Sequence, residues 1–119
     1  MGDMDIQSDE KGRRRAVNAC AEPCPIERGM RVVGGKWTGS ILWHLKDEPV
    51  RFNDLARQLA GASKKVINDR LKQMEENQLV LRTVICTKPI AVTYELTDLG
   101  RTALCFLEQL KDWTLEHNL

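Results

Sequence analysis

The order of predicted elements between residues 51 and 96 constrains the fold of this chain more than any other feature. RFNDLARQLAG predicts a short helix capped by Asn53, and Gly61 is a natural residue to follow its end. Ser63 is expected to cap a second helix that runs to about Asn77. Two β-rich stretches follow, VLRTVIC and AVTYEL, and the residues between them, TKPI, are typical of a hairpin turn. Helix, short turn, helix and hairpin is the order of a winged helix-turn-helix.

Further predicted helices flank this unit on both sides. Pro25 is expected to open the first, and KWTGSILWHL, which is apolar on almost every side, predicts a short buried helix after it. Thr97 should cap a last helix. Its apolar positions at helical spacing are Leu99, Ala103, Phe106, Leu107, Leu110 and Trp113. The expected fold class is mainly α with a small β-hairpin, a winged helix-turn-helix between an N-terminal and a C-terminal helix.

The length of 119 residues suits one domain. Residues 1–19 are polar, with acids first and bases after, and are expected to form a disordered arm, which leaves residues 20–119 as the domain. No apolar run approaches the roughly 18 residues of a membrane helix. The start of the chain lacks the apolar core of a signal peptide. We therefore expect a cytoplasmic protein with no membrane partner.

The charge of the chain is concentrated locally. The net charge is only +1, yet the segment from Arg51 to Lys72 holds six bases and two acids. Lys64 and Lys65 stand at the start of a predicted helix, where the positive end of the helix dipole disfavours cations. Contact with DNA phosphates would explain this placement, because the second helix of the motif enters the major groove. A merely solvated helix face is the alternative, and it gives no reason for the paired lysines.

The four cysteines are Cys20, Cys24, Cys86 and Cys105. Without an export signal, free, metal-binding or redox-active thiols are expected rather than a disulfide framework. No second closely spaced Cys/His pair completes four zinc ligands, so we expect no metal and no other cofactor. Cys24 should be the N-cap residue before Pro25, where backbone N–H groups favour a thiolate. It is predicted to be a regulatory thiol, with Cys20 as the first candidate for its resolving partner and Cys86, Cys105 or a small thiol as the others; the alternative is a capping residue without a redox role.

From Cys24 to about Trp113 the chain resembles the HxlR family of bacterial winged-helix transcriptional regulators. The matching phrases, in order, are CPIERGMRVVGGKWTGSILWHL, RFNDLARQL, SKKVINDRLKQMEENQLV and VTYELTDLG. The resemblance implies homodimers that bind pseudo-palindromic, double-stranded operator DNA, with the N- and C-terminal helices as dimerisation helices. It also implies that Cys24 occupies the position at which some members sense oxidants or electrophiles. A regulator, not an enzyme, is expected.

The resemblance, together with the pattern of charged and apolar residues, assigns residues to the two surfaces. The groove-facing positions of the second helix of the pair are Ser63, Lys65, Asn68, Asp69 and Lys72. Arg51, Lys64 and Lys88 complete the predicted DNA-binding set, and Lys88 is the base nearest the wing tip, which lacks the arginine of many relatives. The predicted dimerisation residues are Ile26, Met30, Val33, Leu104, Cys105, Leu107 and Leu115.

Other functions stay open at the level of sequence. Trp37, Trp43 and Trp113 could line a pocket, so a regulator that responds to a small apolar ligand at the dimer interface is one alternative. A thiol redox enzyme is another, although neither histidine is well placed to serve Cys24 or Cys20 as a base. A winged helix used only for protein contacts would show no salt-dependent affinity for DNA.

Overall fold

The computed structural model describes residues 24–119 in full and, before them, the backbone of two short strands. It forms two compact units, Met1–Arg31 and Val32–Leu119. In the first, β1 (Ile6–Ser8) pairs antiparallel with β2 (Arg14–Ala16). These strands lie in the segment that was expected to be disordered. An isolated two-stranded ribbon of this length is at best marginally stable in water, so the strands do not contradict that expectation. The other residues of the arm lie outside the described part of the chain, so the arm and its boundary stay predictions.

The helices and the strands of the wing hairpin follow the predicted order, and one further short strand precedes the first helix of the helix-turn-helix. The structure confirms a mainly α winged helix-turn-helix, while the dimerising role of its outer helices stays a prediction. The elements are α1 (Pro25–Val33), α2 (Thr38–His44), β3 (Val50–Arg51), α3 (Phe52–Gln58), α4 (Lys64–Glu76), β4 (Val80–Thr87), β5 (Ile90–Leu96) and α5 (Asp98–Glu116). No helix in the described part of the chain is long and apolar enough to cross a membrane.

The wing is a three-stranded antiparallel sheet in the order β3-β5-β4. The strands β4 and β5 were predicted, and the turn between them contains Lys88 and Pro89. The two-residue strand β3 was not predicted, since it is too short to show alternation. It places Val50 opposite Tyr94 and Arg51 opposite Thr93. This pairing brings the start of α3 to the base of the wing.

Of the side-chain caps predicted for α3, α4 and α5, two are confirmed. The Ser63 Oγ accepts the Val66 N–H at 3.1 Å, and the Thr97 Oγ1 accepts the Gly100 N–H at 3.0 Å. The prediction that Asn53 caps α3 was wrong, because the helix already begins at Phe52 and Arg51 is its extended N-cap residue. Pairing of β3 with β5 holds Arg51 extended and so sets the start of the helix.

A single apolar core lies among α2, α3, α4, α5 and the sheet. Its buried members are Ile41, Leu42, Leu45, Leu55, Leu59, Ile67, Leu71, Met74, Leu79, Val80, Tyr94, Leu96 and Ala103. Val33, Leu104 and Leu107, which were predicted for the dimer contact, are partly buried against this core. The rest of the apolar stripe on α5 points away from it: Leu99, Phe106, Leu110 and Trp113 are between 44% and 53% exposed. One helix face buries only a limited stripe, so the wide apolar surface of α5 is divided between the core and solvent.

Candidate nucleic-acid interface

The turn between α3 and α4 fixes where α4 begins. Gly61 has a φ of +96°, in the left-handed region that favours glycine, and the Ala62 N–H donates to the Leu59 carbonyl at 3.1 Å. The Trp37 ring covers the turn, 3.7 Å from the point where a side chain on Gly61 would begin. The Arg70 Nε donates to the Lys36 carbonyl at 3.1 Å and ties α4 to the segment before α2. The turn before α4 and the middle of the helix are therefore both in contact with the segment Lys36–Trp37.

The two faces of α4 differ in burial as the sequence predicted. Ile67, Leu71 and Met74 are buried in the core. On the other side Lys65, Asp69 and Lys72 are exposed, and Asn68 is half-buried beside them. Ser63 and Lys64 are exposed at the N-terminal end. The predicted groove-facing residues of α4 thus lie together on the side of the helix that the core leaves open.

The charges of α4 oppose its dipole at both ends. Its first turn contains no acid and begins with Lys64 and Lys65, and its last residues are Glu75 and Glu76. Each such placement costs about 0.3–1 kcal/mol at an exposed helix end. The helix gains no stability from this arrangement of charges.

The basic side chains of the segment Arg51–Lys72 are not equally available to bind a partner. Arg57 forms an ion pair with Asp54 on the same helix, and Arg70 is held by the Lys36 carbonyl and by Gln73. Arg51, Lys64, Lys65 and Lys72 are exposed. Four of the six bases therefore present charge to solvent, and all four were among the predicted DNA-binding residues.

The tip of the wing is more apolar than basic. Lys88 lies in the turn and is exposed, and Ile90 next to it is 73% exposed. The Cys86 thiol donates to the Lys88 carbonyl at 3.7 Å. The structure thus places Lys88 at the wing tip, as predicted, and the apolar Ile90 beside it.

A cleft of about 550 Å³ separates the wing from the helix pair. It is lined from the helices by Asn53, Asn68 and the Asp54–Arg57 pair, and from the sheet by Arg51, Arg82 and Tyr94. Burial raises the pKa of the Tyr94 hydroxyl, and a hydrogen bond from Arg82 acts in the opposite direction. Arg82 was not predicted as a site residue, although its position two residues after the buried Val80 places it on the same face of β4.

The predicted thiol site is described only in part. The Cys24 carbonyl accepts the Arg28 N–H at 2.9 Å, so Cys24 is the N-cap residue of α1, as predicted, and it is half-buried. Cys20 lies outside the described residues. Cys86 in the wing and Cys105 on α5 are exposed. No group of three or more His, Cys, Asp or Glu among residues that the structure describes could hold a metal ion.

A second cavity, of about 380 Å³, lies between α2 and α5. Gly39, Trp43, Leu107, Leu110 and Leu115 form most of its wall. The ammonium groups of Lys46 and Lys111 lie 4.1 and 5.2 Å from the Trp43 ring centroid. Of the three tryptophans considered for a pocket, only Trp43 lines this cavity. Trp37 covers the turn before α4, and Trp113 is on the exposed face of α5.

Comparison with known proteins decides the family. The model for HxlR-like helix-turn-helix proteins matches residues 32–118. The chain belongs to this family. Among its relatives in Bacillus subtilis (strain 168), the uncharacterized HTH-type transcriptional regulator YdeP is 34% identical over 92 residues, which are 77% of this chain and 72% of YdeP. The HTH-type transcriptional regulator YodB is 32% identical over 91 residues, 76% of this chain and 81% of YodB.

Solved structures of other regulators share the fold. The redox regulator HypR in its reduced form has a TM-score of 0.75 and 32% identity, over 79% of this chain and 93% of HypR. The quinone-bound form of B. subtilis YodB has a TM-score of 0.67 and 29% identity, over 78% of this chain and 99% of YodB. The protein is thus an HxlR-type transcriptional regulator with a DNA-binding helix-turn-helix.

Proposed function

We propose that this HxlR protein is a dimeric regulator that reads a pseudo-palindromic operator through α4. The observation that carries the proposal is the open face of α4, where Lys64, Lys65 and Lys72 are exposed around Asn68 and Asp69. Lysines at these positions contact phosphates, while Asn68 and Asp69 have the chemistry to read base edges. Asparagine pairs with adenine through two hydrogen bonds, and a carboxylate accepts from the amino group of cytosine.

The test of base reading is operator selection from a random-sequence duplex library. The parent and Asn68→Ala should select different sequences, because the variant keeps the phosphate contacts and loses a base contact. Glu76→Ala, at the C-terminal end of the same exposed face, is the matched control and should select the parental operator. Selection of one and the same sequence by all three proteins would remove Asn68 from the base-reading surface.

We propose that the exposed apolar stripe of α5, together with Ile26 and Met30 of α1, forms the dimer contact. Leu99, Phe106, Leu110 and Trp113 are each about half exposed, and Ile26 and Met30 are more than half exposed. Monomeric proteins rarely expose a row of large apolar side chains like that on α5. A twofold axis through it would bury the same stripe on both chains and set two α4 helices against two operator half-sites.

We propose that Cys24 controls DNA binding as a regulatory thiol. Support comes from its N-cap position, where backbone N–H groups favour a thiolate, and from the similarity to HypR, a redox regulator, and to YodB, solved with bound quinone. Attack of the thiolate sulfur on a quinone ring carbon forms a C–S bond, and uptake of one proton gives the hydroquinone thioether. A bulky adduct at the start of α1 would disturb a dimer contact that includes Ile26 and Met30.

The test is operator affinity before and after treatment with benzoquinone. The parent should lose affinity, and Cys24→Ser should keep it. Cys105→Ser, which removes an exposed thiol elsewhere, should respond like the parent. This role for Cys24 is excluded if the quinone leaves the operator affinity of the parent unchanged. It is also excluded if Cys24→Ser loses as much affinity as the parent.

The cavity between α2 and α5 favours a second signal, a small apolar ligand with an anionic group. Trp43, Leu107 and Leu110 provide the apolar wall, and the ammonium groups of Lys46 and Lys111 lie beside the Trp43 ring. 1-Naphthoate is a suitable probe, measured by calorimetry. Gly39→Leu should fill the cavity and abolish the binding, because Gly39 lines it and faces Leu107. If Gly39→Leu binds 1-naphthoate as tightly as the parent does, this site is excluded.

A further inference from the structure

The base of the wing carries a cationic surface that does not belong to α4. Arg51 and Arg82 both line the cleft between the wing and the helix pair, and both side chains are exposed. The one acid that lines the cleft, Asp54, is neutralised by its ion pair with Arg57. The cleft therefore presents net positive charge, and Asn53 and Asn68 add hydrogen-bonding groups that suit an anion.

Arg82 is positioned by the sheet. It lies directly opposite Tyr94 on the neighbouring strand, and opposite residues of antiparallel strands project from the same face. Tyr94 is buried, which raises the pKa of its hydroxyl, and Arg82 lies close enough to act in the opposite direction. Glu75 of α4 lies near enough to act on Tyr94 as well. The guanidinium thus lies beside a buried, rigid residue, and arginine has N–H donors for a second partner.

The cleft adjoins the helix that enters the DNA. Asn68 belongs both to the open face of α4 and to the wall of the cleft. A duplex bound on the open face of α4 would therefore have this cleft beside it. Pro89 and Ile90 near the wing tip add an apolar part to the cleft wall, and Arg51 and Arg82 supply cationic groups to it.

We propose that this cleft binds a phosphate of the DNA backbone, with Arg82 and Arg51 as its cationic contacts and Tyr94 as the residue that positions Arg82. The proposal rests on the DNA-binding function proposed above and extends the interface from α4 to the base of the wing. Guanidinium groups suit this role, because their planar fork matches two phosphate oxygens at once.

The experiment is fluorescence anisotropy with a labelled duplex carrying the operator that the parent selects, repeated over a range of salt concentrations. Arg82→Gln should bind about tenfold more weakly, as expected for a lost hydrogen bond to a charged group. The slope of log affinity against log salt should become shallower by about 0.9, the value for one phosphate contact. Arg82→Lys should keep the parental slope. Arg101→Gln removes one positive charge from α5, outside the cleft, and should leave both quantities unchanged.

A double-mutant cycle tests the positioning role. Tyr94→Phe should weaken binding in the parent and have no further effect in Arg82→Gln, and circular dichroism reports whether each variant keeps the parental fold. An Arg82→Gln protein with the parental salt slope would overturn the proposal, whether or not its affinity falls. If Lys65→Ala and Lys72→Ala lose affinity while Arg82→Gln does not, α4 binds DNA and the cleft does not. If the parent selects no operator, the proposed function itself fails.

Discussion

At the scale of single residues, the tightest packing constraint is at Gly100. A Cβ there would lie 2.2 Å from the Leu79 carbonyl oxygen, which already accepts the Thr97 N–H at 3.0 Å. Gly100→Ala must push the first turn of α5 away from β4, and overpacking of this kind costs roughly 1–3 kcal/mol. We expect a lower free energy of unfolding in urea, by about 2 kcal/mol.

Gly39→Ala is the matched control for this prediction. A Cβ on Gly39 would lie 3.5 Å from the Leu107 Cδ2, an ordinary contact, and alanine is favoured over glycine in a helix by up to about 1 kcal/mol. This variant should equal or exceed the parent in stability at the same protein concentration. Equal stability of the two variants would contradict the packing described around Gly100.

Gln78 shows local backbone strain that a substitution can release. Its φ is +60°, in the left-handed region, where a residue with a Cβ is disfavoured by roughly 1–2 kcal/mol. The Thr97 Oγ1 donates to the Gln78 carbonyl at 2.6 Å, a backbone contact that any residue can make. Gln78→Gly should raise the free energy of unfolding by about 0.5–1 kcal/mol after the greater freedom of glycine in the unfolded chain is subtracted. A lower melting temperature for Gln78→Gly would show that this backbone is not strained.

At the scale of elements, substitutions at the N-cap of α4 should change the stability of the protein and its DNA affinity independently. Ser63 caps the helix by accepting the Val66 N–H, and Ser63→Ala should cost about 1 kcal/mol. Ser63→Asp keeps the cap and adds a negative charge at the positive end of the dipole, so it should be at least as stable as the parent. The same charge would repel DNA phosphates. We therefore expect Ser63→Asp to retain its melting temperature and lose operator affinity; retention of both would place Ser63 away from the DNA.

The elements that were predicted from sequence are those with local signals. Ser63 and Thr97 are caps whose effect depends on residues three positions ahead, so the starts of α4 and α5 could be read directly. The strand β3 exists only because β5, about forty residues later in the chain, pairs with it, and this pairing also sets the start of α3. The left-handed backbone of Trp37, with a φ of +83°, likewise has no local signal. Such features depend on tertiary contacts that no short stretch of sequence contains.

The residues of the candidate site likewise differ in whether the sequence alone could reveal their role. Lys64 and Lys65 could be assigned because a cation at a helix N-terminus is unfavourable within the helix itself. Arg82 could not, since its significance depends on Tyr94 in the opposite strand. Arg57 and Arg70 were counted as part of the basic surface, and only the structure shows that Asp54 and the Lys36 carbonyl hold them.

At the scale of the whole molecule, the exposed stripe of α5 makes the oligomeric state testable. Leu110 and Leu81 are each 52% exposed, but only Leu110 lies on this stripe. Leu110→Glu should shift the sedimentation coefficient from dimer to monomer at micromolar concentration, because a charge buried without a partner is strongly unfavourable. Leu81→Glu, with the same charge change on the wing, should remain dimeric. A dimeric Leu110→Glu protein would place the contact elsewhere.

The central claim is that the exposed lysines of α4 bind DNA phosphates, and salt-dependent operator affinity tests it most directly. The measurement compares the parent with the double variant Lys65→Ala/Lys72→Ala. The control is Lys46→Ala/Lys111→Ala, which removes the same charge from beside Trp43. The α4 variant should bind more weakly and lose about 1.8 from the slope of log affinity against log salt, at about 0.9 for each phosphate contact. The control should keep the parental slope. A parental affinity and slope for the α4 variant would contradict the assignment of α4 as the recognition helix.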